Sequence, residues 1–196
     1  MIDDNILKDF KKIDNLKETL VKVVQYVRKK DAEQLHSLEK KIIEDAIVNN
    51  DLDFAELAVV TYCFRKMFFK QHIFTTNVWK DTQDEILYDL NNLTKYEFDL
   101  NKYRDTIKNA QSKIEYVDKQ LGHFVESIVQ SARTKLASTA YAYGLSSEQA
   151  CSLFSTNREQ LMSFVGNTKM PDEDKPFKTI KERVHLLKVM SKSEYL

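Results

Sequence analysis

Glycine and proline are nearly missing from this chain of 196 residues, which has only Gly122, Gly144, Gly166, Pro171 and Pro176. Nothing ahead of residue 122 therefore interrupts a helix through backbone chemistry. No glycine-rich loop is available to cradle a phosphate. Cysteine is scarce as well. Cys63 and Cys151 stand far apart, match no zinc-site spacing, and read as free buried thiols of a reducing cytosol. No charge sign is in excess, since 30 Lys and Arg balance 30 Asp and Glu. Nucleic-acid binding by the chain as a whole has no support from that balance, so any such activity needs a local patch. Long hydrophobic runs are lacking too. The most apolar stretch, Leu57 to Phe69, is too short for a bilayer and contains Arg65 and Lys66. Met1-Ile2-Asp3-Asp4 has no basic region leading into an apolar one, so no signal peptide is expected and the protein reads as cytoplasmic.

What is present is helical spacing throughout. Leu16, Leu20, Val23, Val24 and Val27 draw one apolar stripe ahead of Arg28-Lys29-Lys30. A second helix starts near Asp31, uses Leu35, Leu38, Ile42, Ile43 and Ala46, and stops at Asn49-Asn50-Asp51, whose side chains compete for backbone hydrogen bonds. Phe54 to Ile73 is apolar on nearly every face and too long for a strand, which predicts a central buried helix. Thr75-Thr76-Asn77 marks a boundary, after which Ile86, Leu87, Leu90 and Leu93 outline a shorter helix with Trp79 as a packing anchor.

The most regular pattern follows. Leu100, Tyr103, Ile107, Ala110, Ile114, Val117, Leu121, Phe124 and Ile128 alternate steps of three and four, a heptad seam that faces one partner. Unbroken, this helix would run about 43 Å at roughly 1.5 Å per residue, although Gly122 permits a kink or break. Two readings stay open: a hairpin packed on the chain's own N-terminal helices, or self-association through the Leu100–Ile128 seam. Beyond it, small residues from Ser131 to Ala142 predict a closely packed helix ending at Gly144. The prolines and Asp172-Glu173-Asp174 mark a loop over 167–178, and Ile180, Val184, Leu187 and Met190 a final amphipathic helix. The expected fold is all-α: an N-terminal helical subdomain over 1–95, a long heptad-patterned helix of a hairpin over 96–130, and a C-terminal helix-turn-helix-like subdomain over 131–196.

The segment between Gly144 and Gly166 carries the functional expectation. Ser146 or Ser147 caps a short helix, Glu148 to Phe154, and Asn157 with Gln160 caps a second through a capping-box variant. Ala150 and Cys151 are small enough for the helices to cross, and Phe154, Leu161 and Phe164 hold their angle. Arg158, Glu159, Met162 and Ser163 then point outward, where a recognition helix meets a groove.

Ala132-Arg133-Thr134-Lys135-Leu136-Ala137-Ser138 and Tyr141-Ala142-Tyr143-Gly144-Leu145-Ser146 resemble a motif of an archaeal family of all-helical proteins of about 200 residues, for which DNA binding is the suggested role. The likeness continues through Glu159-Gln160-Leu161-Met162-Ser163-Phe164-Val165-Gly166-Asn167-Thr168-Lys169 and Thr179-Ile180-Lys181-Glu182-Arg183-Val184. It implies no activity, cofactor or catalytic residue. This chain departs from the pattern at the turn, where Ser155 replaces the usual Gly and Thr156 an apolar residue. Glu159 also stands where an exposed aromatic is expected.

From Ser131 onward ten Lys or Arg face seven Asp or Glu, a surplus of three. Arg133, Lys135 and Lys169 are the expected backbone contacts of double-stranded DNA or RNA, and Arg158, Met162 and Ser163 the contacts of the second helix. A protein partner for the same helix pair is the alternative, and a purely structural role the third. Two Glu-x-x-His spacings, Glu33 with His36 and Glu182 with His185, match the ligand step of di-iron bundles. Both glutamates fall off the apolar faces, so a metal-binding bundle is disfavoured. His72 and His123 have no partner at triad spacing. A non-catalytic protein without a cofactor or membrane partner is expected.

Overall fold

The computed structural model describes residues 4–95, 97–121 and 127–167. Among them there is no strand, and nine helices follow one another. The proline-containing loop, the helix expected through Ile180 and Met190, Lys169, and the Glu182–His185 pair lie outside the described residues.

α1 (Asp4–Lys29) and α2 (Ala32–Asn49) meet at Lys30 and Asp31. Asp31 caps α2 by accepting a hydrogen bond from the Gln34 N–H. Asn50 ends α2 in the left-handed region, with φ 48°. Asp51 then opens α3 (Leu52–Phe69) by accepting from the Asp53 and Phe54 amides. α3 is the central helix, packed against α1, α2 and the later α6, α7 and α8. Leu57, Val59, Val60, Cys63 and Phe64 are fully buried, as an all-round apolar helix requires. The expected span to Ile73 is corrected to two helices. α3 stops at Lys70, and α4 (Gln71–Phe74) is a separate turn that lets Phe74 meet Phe68 edge-on at 5.5 Å.

α5 (Asn77–Lys95) and α6 (Leu100–Leu121) form a hairpin. Asp99 caps α6 by accepting from the Asn101 and Lys102 amides, and Lys113 bridges Glu85 and Asp89 of α5. Trp79 is buried and its ring lies 6.1 Å from that of Phe64. The heptad residues Tyr103, Ile107, Ala110, Ile114 and Val117 are all buried, covered by α3, α5 and α7 (Ile128–Ala142). Self-association through the Leu100–Ile128 seam is therefore corrected: from Tyr103 to Val117 the seam is spent inside one chain. The helix does not run unbroken to residue 128 either. α6 ends at Leu121, and Ser127 caps a new helix by accepting from the Gln130 amide. Asp118 secures this change of direction, taking hydrogen bonds from the Ile128 N–H and from Lys70 Nζ.

α8 (Ser147–Phe154) and α9 (Arg158–Asn167) complete the described chain, both packed on α7. The division drawn at 130–131 falls inside the first turn of α7. Buried side chains form one continuous cluster from Leu16 to Leu161. No described helix is long and apolar enough to cross a membrane.

Candidate functional site

α7 is contacted by α3, α6, α8 and α9, and alanines make up part of its buried face. Ala132, Ala137 and Ala140 are fully buried, and α3, α8 and α9 all pack on α7. α8 starts with a complete capping box: Ser146 Oγ accepts from the Gln149 N–H, and Gln149 Oε1 accepts from the Ser146 N–H. It ends at Ser155, whose φ of 50° lies in the left-handed region where a side chain is strained. The Ser155 amide and the Thr156 amide both return to the Cys151 carbonyl, closing the turn.

Ser155→Gly removes that strain, about 1 kcal/mol, against a smaller entropic loss in the unfolded chain. We expect a net gain of about 0.5 kcal/mol, read as a higher urea midpoint. A lower midpoint would contradict the turn geometry.

The Asn157 cap forms, with its Oδ1 accepting from the Gln160 N–H at 2.7 Å. The reciprocal half expected of Gln160 is not made. Its side-chain oxygen instead accepts from Gln130 Nε2 at 2.8 Å and from the Thr156 hydroxyl, because α7 passes close beside it. Leu161 and Phe154 are fully buried and hold α9 across α7. Arg158, Glu159 and Ser163 are exposed on the outward face. Met162 is corrected: it is half-buried and packs on the core, so it belongs to the inner side of α9.

Lys135 and Arg133, two residues apart on α7, have different roles. Lys135 Nζ sits over the Phe164 ring at 5.7 Å, which places a cation beside α9. Arg133 turns inward. Its guanidinium donates to both Glu56 oxygens at 2.8 Å, to Gln111 Oε1 at 2.9 Å and to the Phe154 carbonyl at 3.2 Å. Those donors are occupied by α3, α6 and the end of α8, so Arg133 is corrected from phosphate contact to internal tie.

The cleft around this tie is about 370 Å³ and is lined by Leu52, Asp53, Tyr103, Arg104 and Ser155 besides the tied residues. Each acid in it already has its cations. Asp53 accepts two hydrogen bonds from Arg104 and one from Lys12. Burial raises the Asp53 pKa, but these bonds outweigh burial and hold the carboxyl below its ordinary range. A wider groove near the turn of the α5–α6 hairpin, about 490 Å³, is acidic through Asp89, Glu97, Asp99 and Asp105. Lys102 also lines it, and Lys113 pairs with Asp89.

Among the described residues no group of three or more His, Cys, Asp or Glu is placed to hold a metal ion. Glu33 is exposed on α2. Cys63 is fully buried, with Sγ 3.9 Å from the Ile128 carbonyl, and burial pushes its thiol far above the usual range. No family model matches the chain, and no curated protein or solved structure matches it at a significant level.

Sequence reasoning missed the Glu56–Arg133 pair. Its partners are 77 residues apart and carry no local signal. It also missed the grouping of Lys66 of α3 with Lys135. The i, i+4, i+7 step Tyr62, Lys66, Phe69 was legible, but it is hidden in a helix that is apolar on almost every face.

Proposed function

We propose that α7, α8 and α9 act as a helix-turn-helix unit by which a non-catalytic, regulatory protein binds duplex nucleic acid, with α9 as the recognition helix. The observation that carries this reading is the division of α9. Leu161 is fully buried against the unit while Arg158, the first residue of α9, and Ser163, about one and a half turns on, face solvent. Lys135 flanks the helix from α7, and Lys169 continues the line in sequence. The resemblance of the Ala132–Lys169 stretch to archaeal helical proteins with a suggested DNA-binding role points the same way. Glu159 repels phosphate and fits only at a base edge, where a cytosine amino group donates to it. Cys63 offers no nucleophile to this reading, since it is fully buried and burial raises its thiol pKa.

The test is duplex binding across a salt series. Arg158→Ala should weaken affinity and reduce the salt slope by roughly one unit, the loss of one phosphate contact. Retention that is equal for wild type and for Arg158→Glu, or no retention at low salt, would overturn the reading and leave the α9 face to a protein partner.

A further inference from the structure

The basic surface next to α9 extends well beyond the α7–α9 unit, and what it contains there is not suited to a duplex alone. On the last two turns of α3, Tyr62, Lys66 and Phe69 occupy one helix face at steps of four and three. Lys66 Nζ lies over the Tyr62 ring at 5.7 Å, and Arg65 lies over the same ring at 5.1 Å. Phe69 is 69% exposed, the most exposed large apolar side chain among the described residues. Its neighbours Phe68 and Met67 supply the packing here, Phe68 against Phe74 and Met67 in the core, so the fold makes no use of the Phe69 ring.

The charge around this ring is positive and only partly compensated. Lys66 is depressed in pKa, first by partial burial and then by repulsion from Arg65, Lys135 and Lys70, against a single opposing carboxylate, Glu39. Glu39 is itself taken up by Arg65, at 2.7 Å. Lys135 links this patch across α7 to the Phe164 ring of α9. Cation and ring thus alternate from the end of α3 to α9: Phe69, Lys66, Lys135, Phe164.

We infer that this strip binds single-stranded nucleic acid, with an unpaired base stacked on Phe69 and the adjoining phosphates held by Lys66 and Lys135. A positive track with exposed rings is how proteins hold single strands. Stacking needs an unpaired base face, and the lysines need only the backbone. A solvent-facing phenylalanine beside Lys66 and Lys135 has that chemistry. A nucleic-acid strand supplies both a flat base for the ring and evenly spaced phosphates for the two lysines, and that pairing favours it over an acidic peptide. The inference rests on the reading that the ligand is a nucleic acid and adds the form of strand that this second surface takes.

The experiment is fluorescence anisotropy of the full chain with labelled dT20 and, separately, with a mixed-sequence duplex of the same length, each over a salt series. Phe69→Ala should weaken dT20 binding roughly tenfold or more, the loss of one stacked base, while leaving its salt slope unchanged. Phe69→Trp should retain or tighten binding. Lys66→Ala should lower the dT20 salt slope by about 0.7, one single-strand phosphate. Because the Phe69 side chain is solvent-facing, Phe69→Ala keeps the wild-type melting midpoint, and binding is compared at equal folded fraction. If Phe69→Ala holds dT20 as tightly as wild type, or if wild type holds the duplex alone, this inference is overturned while the duplex reading stands. Binding of dT20 without the duplex supports the strip and removes the duplex reading. Failure to hold either probe at low salt overturns both.

Discussion

Leu161→Asp is expected to melt the α7–α9 unit away from the rest of the molecule. Leu161 is fully buried and is the side chain through which α9 sits across α7. Truncating such a leucine costs about 2–5 kcal/mol through lost transfer energy and an unfilled cavity. A carboxylate adds the cost of burying a charge. Together these take a large share of the roughly 5–15 kcal/mol that stabilises an ordinary domain. Urea unfolding followed by circular dichroism should show either a much lower midpoint or an early separate transition for the C-terminal helices. Leu161→Met, close in volume, should cost less than about 1.5 kcal/mol. An unchanged midpoint for the aspartate variant would mean that α9 is not seated as described. The surface on which the recognition role depends would then not exist.

The second large effect is expected from Arg133→Ala. One guanidinium makes four hydrogen bonds to three residues: two to Glu56 of α3, one to Gln111 of α6 and one to the Phe154 carbonyl at the end of α8. Its removal leaves Glu56 without its countercharge and a carbonyl without a side-chain donor. Losing one partner of a buried pair costs about 3–5 kcal/mol. Glu56 retains 27% side-chain exposure, so solvent screens part of this and about 2–3 kcal/mol is the better expectation. Replacing both partners, as Glu56→Leu with Arg133→Met, should recover much of the loss, because an apolar pair of similar shape has no desolvated charge. The salt slope of nucleic-acid binding should stay at the wild-type value in Arg133→Ala at equal folded fraction. A slope reduced by about one unit would return Arg133 to the phosphate-contacting side chains.

These two residues mark where sequence reasoning works and where it stops. Leu161 was legible as an inward residue because it stands four after a cap, Asn157, and one turn before Phe164 on the same helix. Met162, its neighbour, was assigned outward from the same phase. It is half-buried and packs against the core cluster. Arg133 looked like a basic surface residue because nothing within several positions opposes its charge, and only the folded chain brings Glu56 beside it.

The sequence by itself determined the all-α class, since every long segment repeats its apolar residues at helical steps and glycine and proline are too few to break them. It determined the stops at Asn50 and Ser155, where side-chain caps and left-handed residues act over three or four positions. It also marked the seam of α6 as buried, because a 3.5-residue repeat has to face something. The tertiary structure alone decided what that seam faces, which cations are spent on internal acids, and which remain beside α9. Those outcomes depend on contacts between residues tens of positions apart, and the spacing of residues along a helix carries no information about them.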